Sequence, residues 1–214
     1  MPGCYGVKSW TKDLMRIVGA EFTRSCVAVE QFPVDRGVEF AIVGRSNVGK
    51  SSLINRLVQQ KRLAHVSRTP GKTQAVNFFD LRTTDRAFSP FRMVDLPGYG
   101  YARVSKTLRA QWGPLIHRYL HERRSLACLL FLIDARGSEP TDVATFEWLR
   151  SVNLPVIVVL TKIDKLKRGE RRACEEAVRE TFALTGADPV ILWSSVTGEG
   201  RIGLWQAICE KVRT

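Results

Sequence analysis

The chain has 214 residues, a formal net charge of +12 and a pI near 9.9. Its 44% hydrophobic content is typical of a globular protein and too high for a disordered one, and no apolar run approaches the roughly 20 residues that span a bilayer. Five cysteines, odd in number and far apart, argue against a disulfide framework or a zinc ribbon and favour a reducing cytoplasm.

The excess of positive charge indicates a polyanionic partner. Nucleic acid is the commonest polyanion in a cytoplasm, an anionic membrane is the alternative, and simple solubility would also account for a basic chain. No strongly amphipathic basic helix stands out in the sequence, so we expect no membrane partner.

Strand-like and helical stretches alternate along the chain. Residues 1–19 are expected to form an arm, disordered or helical, ahead of a single domain over residues 20–214. Apolar or alternating runs predict strands, with their exit loops, at 38–44, 77–84, 91–98, 126–134, 154–164 and 189–195. Helical patterns follow at 50–60, 106–123, 141–150, 168–184 and 202–212. Thr141 is predicted to cap the third helix.

This alternation predicts an α/β fold of three layers, with helices on both faces of a mainly parallel six-stranded sheet. One edge strand, 77–84, is expected to be antiparallel because a short turn joins it to 91–98. Ligands in such sheets bind at the carboxyl ends of the strands, so the loops at those ends form the candidate site.

Residues 44–51 read GRSNVGKS, the GxxxxGKS pattern of a phosphate-binding loop (P-loop), between an apolar strand and a helix. The glycines let backbone N–H groups point at phosphates, and Lys50 places a cation near the terminal ones. Ser51 offers a hydroxyl to Mg²⁺. A glycine-rich turn is the alternative, which the context disfavours. The nucleotide-binding candidates here are Gly44, Arg45, Ser46, Asn47, Val48, Gly49, Lys50, Ser51 and Ser52.

A DxxG motif follows the third predicted strand. A lone DxxG is common, and this one gains weight from its place at a strand end. Asp95 would hold Mg²⁺, through a water, and Gly98 would present its N–H to the third phosphate of a triphosphate. The candidates in this motif are Asp95, Leu96, Pro97 and Gly98.

The TKID motif at 161–164 favours guanine over adenine. The Asp164 carboxylate can accept two parallel hydrogen bonds from guanine, whereas adenine presents an acceptor at N1 and no neighbouring amino group. A site built on such a pair rejects the mismatch by about 10⁴ or more. The alternative is a charged loop after a strand. The candidates for base recognition are Thr161, Lys162, Ile163 and Asp164, with Trp193, Ser194 and Ser195 as a brace for Asp164 and the guanine carbonyl.

These motifs, in this order, resemble the translation-factor-related class of GTPases. A longer set of sequence segments resembles, more narrowly, the YihA/EngB/YsxC family of bacterial ribosome-biogenesis GTP-binding proteins. This family is one of the TrmE-Era-EngA-YihA-Septin-like P-loop GTPases. The resemblance runs from about Ala20 to the end, with Gly137 as a departure where family members often carry His. The segments that carry it are GRSNVGKSSL, TPGKTQ, NFFD, DLPGYGYARVSK with the later Trp112, FLIDARGSEP and TKIDKL.

The resemblance implies a GTP-hydrolysing switch that acts in assembly of the large ribosomal subunit and is needed for normal cell division and septation. Its partners would be the large subunit or its precursor and ribosomal RNA, and we expect a monomer. Thr73 would be a second hydroxyl ligand of Mg²⁺, with Thr69 a rival by position. The implied first switch segment comprises Gly71, Lys72, Thr73, Gln74 and Ala75.

We expect slow intrinsic hydrolysis, because Tyr99 stands where many GTPases carry the Gln that orients water. Asn47 either helps to hold a K⁺ ion in place of an arginine finger or merely suits the tight loop. The candidate catalytic residues are Lys50, Thr73, Gly98 and Asn47.

Other signals stay open or weak. Arg103, Lys106 and Arg109 follow the DLPG segment at 95–98, the second switch of such GTPases, and could couple phosphate state to RNA contact. The basic clusters at 121–124 and 165–172 are each expected to lie on a solvated face. A regulatory GTPase that binds a protein effector without RNA is the main alternative function. An ATPase or kinase is disfavoured by TKID.

Overall fold

A computed structural model describes residues 17–64, 75–84, 90–99 and 106–213. The strands are β1 Ile17–Cys26, β2 Val38–Gly44, β3 Val76–Thr83, β4 Phe91–Asp95, β5 Leu126–Asp134, β6 Val156–Thr161 and β7 Val190–Leu192. The helices are α1 Lys50–Leu57, α2 Lys106–Glu122, α3 Pro140–Ser151, α4 Glu170–Thr181 and α5 Arg201–Arg213, with short 3₁₀ turns at Val29–Gln31 and Ile163–Lys165.

The strands form one sheet in the order β1-β3-β4-β2-β5-β6-β7. Strand β3 runs antiparallel to both of its neighbours, and the pairs from β4 to β7 are parallel. The α/β class and the antiparallel strand are confirmed. The predicted count of six strands is wrong, because β1 adds a seventh at the edge and β3 lies one strand inside it.

Strand β1 escaped the sequence pattern because most of its side chains are exposed. An edge strand has a sheet neighbour on one side alone, so its sequence carries little of the buried apolar signal that marks a central strand. It begins at Ile17, so the last three residues of the predicted arm belong to the sheet.

The core lies on both faces of the sheet, as the side-chain alternation of β2 shows. Phe40 and Ile42 join one cluster, packed with Leu53 of α1 and Trp205 of α5. Ala41 and Val43 join the other cluster, which packs under α2, α3 and α4. No helix within the described ranges is long and apolar enough to cross a bilayer.

Helix α3 begins one residue earlier than predicted, and Thr141 is not its cap. Glu139 is the N-cap and Pro140 takes the first helical position, where its missing N–H costs nothing. The Asp142 carboxylate reaches back to accept the Glu139 N–H at 2.8 Å. Glu139 and Asp142 therefore cap the N-terminus of α3, the role that the sequence suggested for the Thr141 hydroxyl.

A buried ion cluster at the far end of the sheet corrects the prediction for the basic run 121–124. Arg123, predicted to be solvated, lies with its side chain only 6% exposed and donates to Glu39 at 2.7 Å. Arg92 donates to the same carboxylate at 2.7 Å, and the Tyr119 hydroxyl at 3.2 Å. A fully buried glutamate needs such partners, so these contacts fix the end of α2 against β2 and β4.

Candidate nucleotide-binding site

The P-loop connects the carboxyl end of β2 to the first turn of α1, as predicted. Asn47 and Gly49 have φ values of 63° and 114°, in the left-handed region. The Lys50 ammonium donates to the carbonyl of Gly44 at 3.0 Å and is buried. Burial lowers the pKa of Lys50, and the nearby charge of Asp95 opposes that shift. The loop therefore holds a dehydrated cation beside the N-terminus of α1.

Asp95 ends β4 next to that lysine and is 3% exposed. Burial raises its pKa to about 6, and Lys50 and a hydrogen bond from Asn77 work against the rise. Its Oδ1 has no hydrogen-bond partner in the part of the chain that the structure describes. An orphaned carboxylate oxygen costs free energy, so this position calls for a partner that the described residues do not supply.

Gly98 lies directly against the P-loop. A Cβ built on it would sit 2.8 Å from Lys50 Nζ and 2.9 Å from Ser46 Oγ. The Ser46 N–H donates to the Tyr99 carbonyl at 3.0 Å, and the Leu96 N–H donates to the Ile42 carbonyl at 3.1 Å. The absence of a side chain at Gly98 therefore lets the DxxG motif pack directly against the P-loop.

The TKID motif follows β6 and is bonded to the back of the P-loop. Thr161 Oγ1 donates to the Val48 carbonyl at 2.8 Å. The Lys162 ammonium donates to the Asn47 carbonyl at 2.7 Å and to Asp134 Oδ2 at 2.9 Å. These bonds hold the predicted base-recognition segment and the predicted phosphate-binding segment in one rigid arrangement.

Asp134, at the carboxyl end of β5, is a site residue that the sequence reasoning missed. Burial opposes its ionisation, but hydrogen bonds from Arg136 and Lys162 hold its pKa well below the ordinary range. Its position directly after a buried strand, next to the P-loop strand in the sheet, was the available signal. The carboxylate fixes Lys162 in place.

Asp164 is braced by the last strand, as predicted. Ser194 Oγ donates to Asp164 Oδ1 at 2.7 Å, and the same hydroxyl accepts the N–H groups of Val196 and Thr197. The Trp193 indole N–H donates to Ser195 Oγ at 2.8 Å. One carboxylate oxygen of Asp164 is therefore committed to the protein, and the carboxylate as a whole is fixed in orientation.

Tyr99, the residue after DxxG, is turned towards α3. Its hydroxyl donates to Asp142 Oδ1 at 2.8 Å, and its ring stacks on Phe131 with centroids 6.4 Å apart. Arg45 of the P-loop forms an ion pair with Glu139, which also lies at the start of α3. The sequence did not reveal these contacts, because the partners are far apart in the chain.

The structure brings three of the four predicted segments together. The P-loop, DLPG and the TKID–Trp193-Ser-Ser195 pair converge at the carboxyl ends of β2, β4, β6 and β7. Ala75 is buried just before β3. The other candidates of the first switch segment lie outside the described residues: Gly71, Lys72, Thr73 and Gln74. Thr69, the alternative to Thr73 as a Mg²⁺ ligand, and Arg103, which follows DLPG, also lie outside them.

The described groups suit phosphoryl transfer from a nucleotide to water. Catalysis of this reaction consists mainly of positioning and charge neutralisation. The Lys50 ammonium, the N–H groups of the P-loop and the N-terminus of α1 provide positive charge at one point, and Asp164 provides a carboxylate of fixed orientation at the same edge of the sheet. Fold and site together define a P-loop GTPase.

The chain belongs to the 50S ribosome-binding GTPase family, whose model matches residues 39–162. It is 43% identical to a "Probable GTP-binding protein EngB" of Exiguobacterium sp. over 91% of this chain and 96% of that one. The relative of the same name from Clostridium beijerinckii is 46% identical over 87% of this chain and 92% of its own. The protein is accordingly a GTP-binding protein that hydrolyses GTP.

Solved structures agree on the fold. The crystal structure of an EngB GTP-binding protein has a TM-score of 0.64 at 23% identity, covering 82% of this chain and 99% of that one. Era in complex with MgGDPNP and nucleotides 1506–1542 of 16S ribosomal RNA has a TM-score of 0.66 at 24% identity, covering 81% and 56%.

Proposed function

We propose that this GTPase is a Mg²⁺-dependent cytoplasmic switch that acts in assembly of the large ribosomal subunit. In its GTP-bound state it binds the subunit or its precursor, as a monomer and through ribosomal RNA. The observation that carries the proposal is the match, over residues 39–162, to a family described as 50S ribosome-binding. A requirement for normal cell division and septation would follow from a shortage of large subunits.

The charge of the chain supports an RNA partner. The segment before and into α4 carries exposed cations at Lys165, Lys167, Arg168 and Arg172. Positive charge near a helix N-terminus is unfavourable for the helix, since the dipole already places partial positive charge there. Of these four residues only Arg172 lies in the first turn of α4, where Glu176 pairs with it, and all four are exposed to contact with phosphates.

Co-sedimentation with separated ribosomal subunits tests this proposal. The protein, loaded with GDP or with a non-hydrolysable GTP analogue, should pellet with the large subunit only in the analogue-bound state. Binding should weaken steeply with salt, because each phosphate contact releases counterions. No binding in either state at moderate salt would contradict the proposal and favour a protein effector without RNA.

A charge-removal pair localises the contact. Replacing Lys165, Lys167 and Arg168 by Ala should weaken binding and reduce the salt dependence by up to about three phosphate contacts. The matched control replaces Arg36, Arg82 and Arg150, which are exposed and lie elsewhere, and removes the same charge. Equal losses in both variants would show that net charge, and not the α4 segment, drives the binding.

Mg²⁺ is supported by the chemistry of Asp95. Hard divalent cations prefer oxygen ligands, and the unpartnered Oδ1 of Asp95 and the hydroxyl of Ser51 are such groups on this site. Mg²⁺ would there neutralise phosphate charge. Affinity for the GTP analogue should rise with Mg²⁺ in the native protein and should not rise in Asp95→Asn. Asp80→Asn, the same change at a carboxylate paired with Arg92, should keep the Mg²⁺ response.

K⁺ activation through Asn47 is a separate proposal. The Asn47 carbonyl is already used by Lys162, whereas its side chain is exposed and free to approach an ion. Its left-handed backbone is also one that Asn adopts readily, so the loop-fitting explanation still stands. Hydrolysis should be faster in K⁺ than in Na⁺ buffer, and equal rates would contradict the role.

A further inference from the structure

Tyr99 is held through its side chain by helix α3. Its hydroxyl donates to Asp142, which is 1% exposed and which also accepts the Glu139 N–H at 2.8 Å. The ring stacks almost parallel to Phe131 of β5, at an interplanar angle of 10°. The phenol therefore has one fixed position, set by a buried carboxylate that is itself fixed.

Tyr99 is also held through its backbone by the P-loop. Its carbonyl accepts the Ser46 N–H at 3.0 Å, and Arg45 and Tyr99 form an isolated parallel bridge. N–H groups of a P-loop are the donors that cradle nucleotide phosphates. Here one of them is occupied by the protein's own carbonyl.

The neighbouring glycine fills the space next to the P-loop cation. A Cβ built on Gly98 would lie within 3.0 Å of Lys50 Nζ, Ser46 Oγ and Ser46 N, so the Gly98 backbone packs directly against the P-loop cation. The Lys50 ammonium donates instead to the Gly44 carbonyl. A third phosphate bound beside Lys50 would compete for this space with the Gly98 backbone, and its entry would displace the peptide between Gly98 and Tyr99.

We propose that Tyr99 and Asp142 form a latch that favours GDP over GTP by holding the Tyr99 carbonyl on Ser46. The latch rests on the proposed GTP switch and would make the protein prefer GDP in the absence of a partner. Binding of the third phosphate must break the Ser46–Tyr99 bond, and the Tyr99–Asp142 bond resists that movement. Tyr99 and Asp142 are positioning residues in this scheme. Neither takes part in the transfer of the phosphate.

The test compares nucleotide preference in Tyr99→Phe with that in the native protein. Phenylalanine keeps the stacking on Phe131 and removes only the hydroxyl donor. A hydrogen bond to a charged acceptor typically changes an equilibrium by about tenfold or more. At fixed Mg²⁺, affinity for a non-hydrolysable GTP analogue relative to GDP should therefore rise by about tenfold, as measured by titration with fluorescent nucleotides.

The chain offers a matched control in Tyr119→Phe. Tyr119 also donates its hydroxyl to a buried carboxylate, Glu39, but at the other end of the sheet. This variant should lose stability in urea unfolding and keep the native GTP-to-GDP ratio. Asp142→Asn is a second variant, which keeps an oxygen acceptor and should shift the ratio in the same direction by less.

An unchanged ratio in Tyr99→Phe, or an equal loss of both nucleotides, would overturn the latch and leave Tyr99 with a structural role. A shift of equal size in Tyr119→Phe would overturn it as well. The titrations need no ribosome, so the latch can fail while subunit binding stands, and subunit binding can fail while the latch stands.

Discussion

Replacing Asp164 by Asn should exchange the base preference from guanine to xanthine. The carboxylate is fixed by Ser194, whose hydroxyl accepts two backbone N–H groups and therefore directs its own proton to Asp164 Oδ1 at 2.7 Å. In the variant, the amide oxygen must take the Oδ1 position to keep that bond. The amide NH₂ then takes the other position and faces the base as a donor.

The magnitude follows from the bonds lost. Guanine presents two donors to the carboxylate, and each hydrogen bond to a charged acceptor contributes about 1.5–3 kcal/mol. In the variant the NH₂ opposes one of these donors and the amide oxygen accepts the other without a full charge, so GDP binding should weaken by up to about 3–6 kcal/mol, roughly 10² to 10⁴-fold. Xanthine has a carbonyl at C2 in place of the amino group, so it can accept from the new amide and should bind the variant better than guanine does.

The assay is competition of GDP and XDP against a fluorescent nucleotide, for the native protein and for Asp164→Asn. The double variant Ser194→Ala, Asp164→Asn is the control. It lets the amide rotate, so its preference for XDP over GDP should be smaller than that of Asp164→Asn alone. Undiminished GDP affinity in the single variant would refute the reasoning. So would an equal loss of affinity for both bases, because that outcome would mean that Asp164 acts by charge or by folding alone.

Three further changes test other parts of the structure. Glu39→Gln should lower the free energy of unfolding by about 3 kcal/mol, because it removes the buried carboxylate charge to which Arg92 and Arg123 both donate, although each arginine keeps a second acid. Glu122→Gln, in an exposed pair, should leave the urea midpoint unchanged, and equal midpoints in the two variants would contradict the cluster's role. Gly98→Ala should weaken nucleotide binding in titrations by pushing Cβ against Lys50, and unaltered affinity would show that the loop yields. Asp134→Asn removes a carboxylate whose pKa is depressed in the folded protein. The stability that this carboxylate contributes is fully present above its ordinary pKa of 3.8 and is lost as the pH falls towards the folded value, so the variant should lose less stability in acid than the native protein does. Identical pH dependence of unfolding in the two proteins would contradict this role of Asp134.

The central strands and the nucleotide motifs could be predicted because their signals are local. Strands β2, β5 and β6 are buried on both faces and read as continuous apolar runs, and the P-loop and TKID directly follow β2 and β6. The contacts between the motifs were less accessible. The sequence predicted that the segment 193–195 braces Asp164, and Ser194 does contact it. The bond from Lys162 to the Asn47 carbonyl was not predictable, because it depends on the left-handed backbone of Lys162 itself, with a φ of 63°.

The missed features all depend on partners that are distant in sequence. Arg123 stands in a basic run that favours solvent, and only the packing of α2 over β2 brings it to Glu39. Tyr99 and Asp142 are 43 residues apart, and they meet because α3 packs over β5 beside the P-loop. Thr141 was a reasonable cap by residue type, yet the preceding Pro140 moved the start of the helix.

The bonds from Thr161 and Lys162 to the Val48 and Asn47 carbonyls make the base pocket and the phosphate cradle a single mechanical unit. In such a unit, contacts to the base and contacts to the phosphates of a nucleotide weaken together when either segment moves. A partner that accelerates nucleotide exchange therefore has no need to reach the base. Displacing the P-loop backbone by a small amount, from the side of α3, would also shift the segment that carries Asp164.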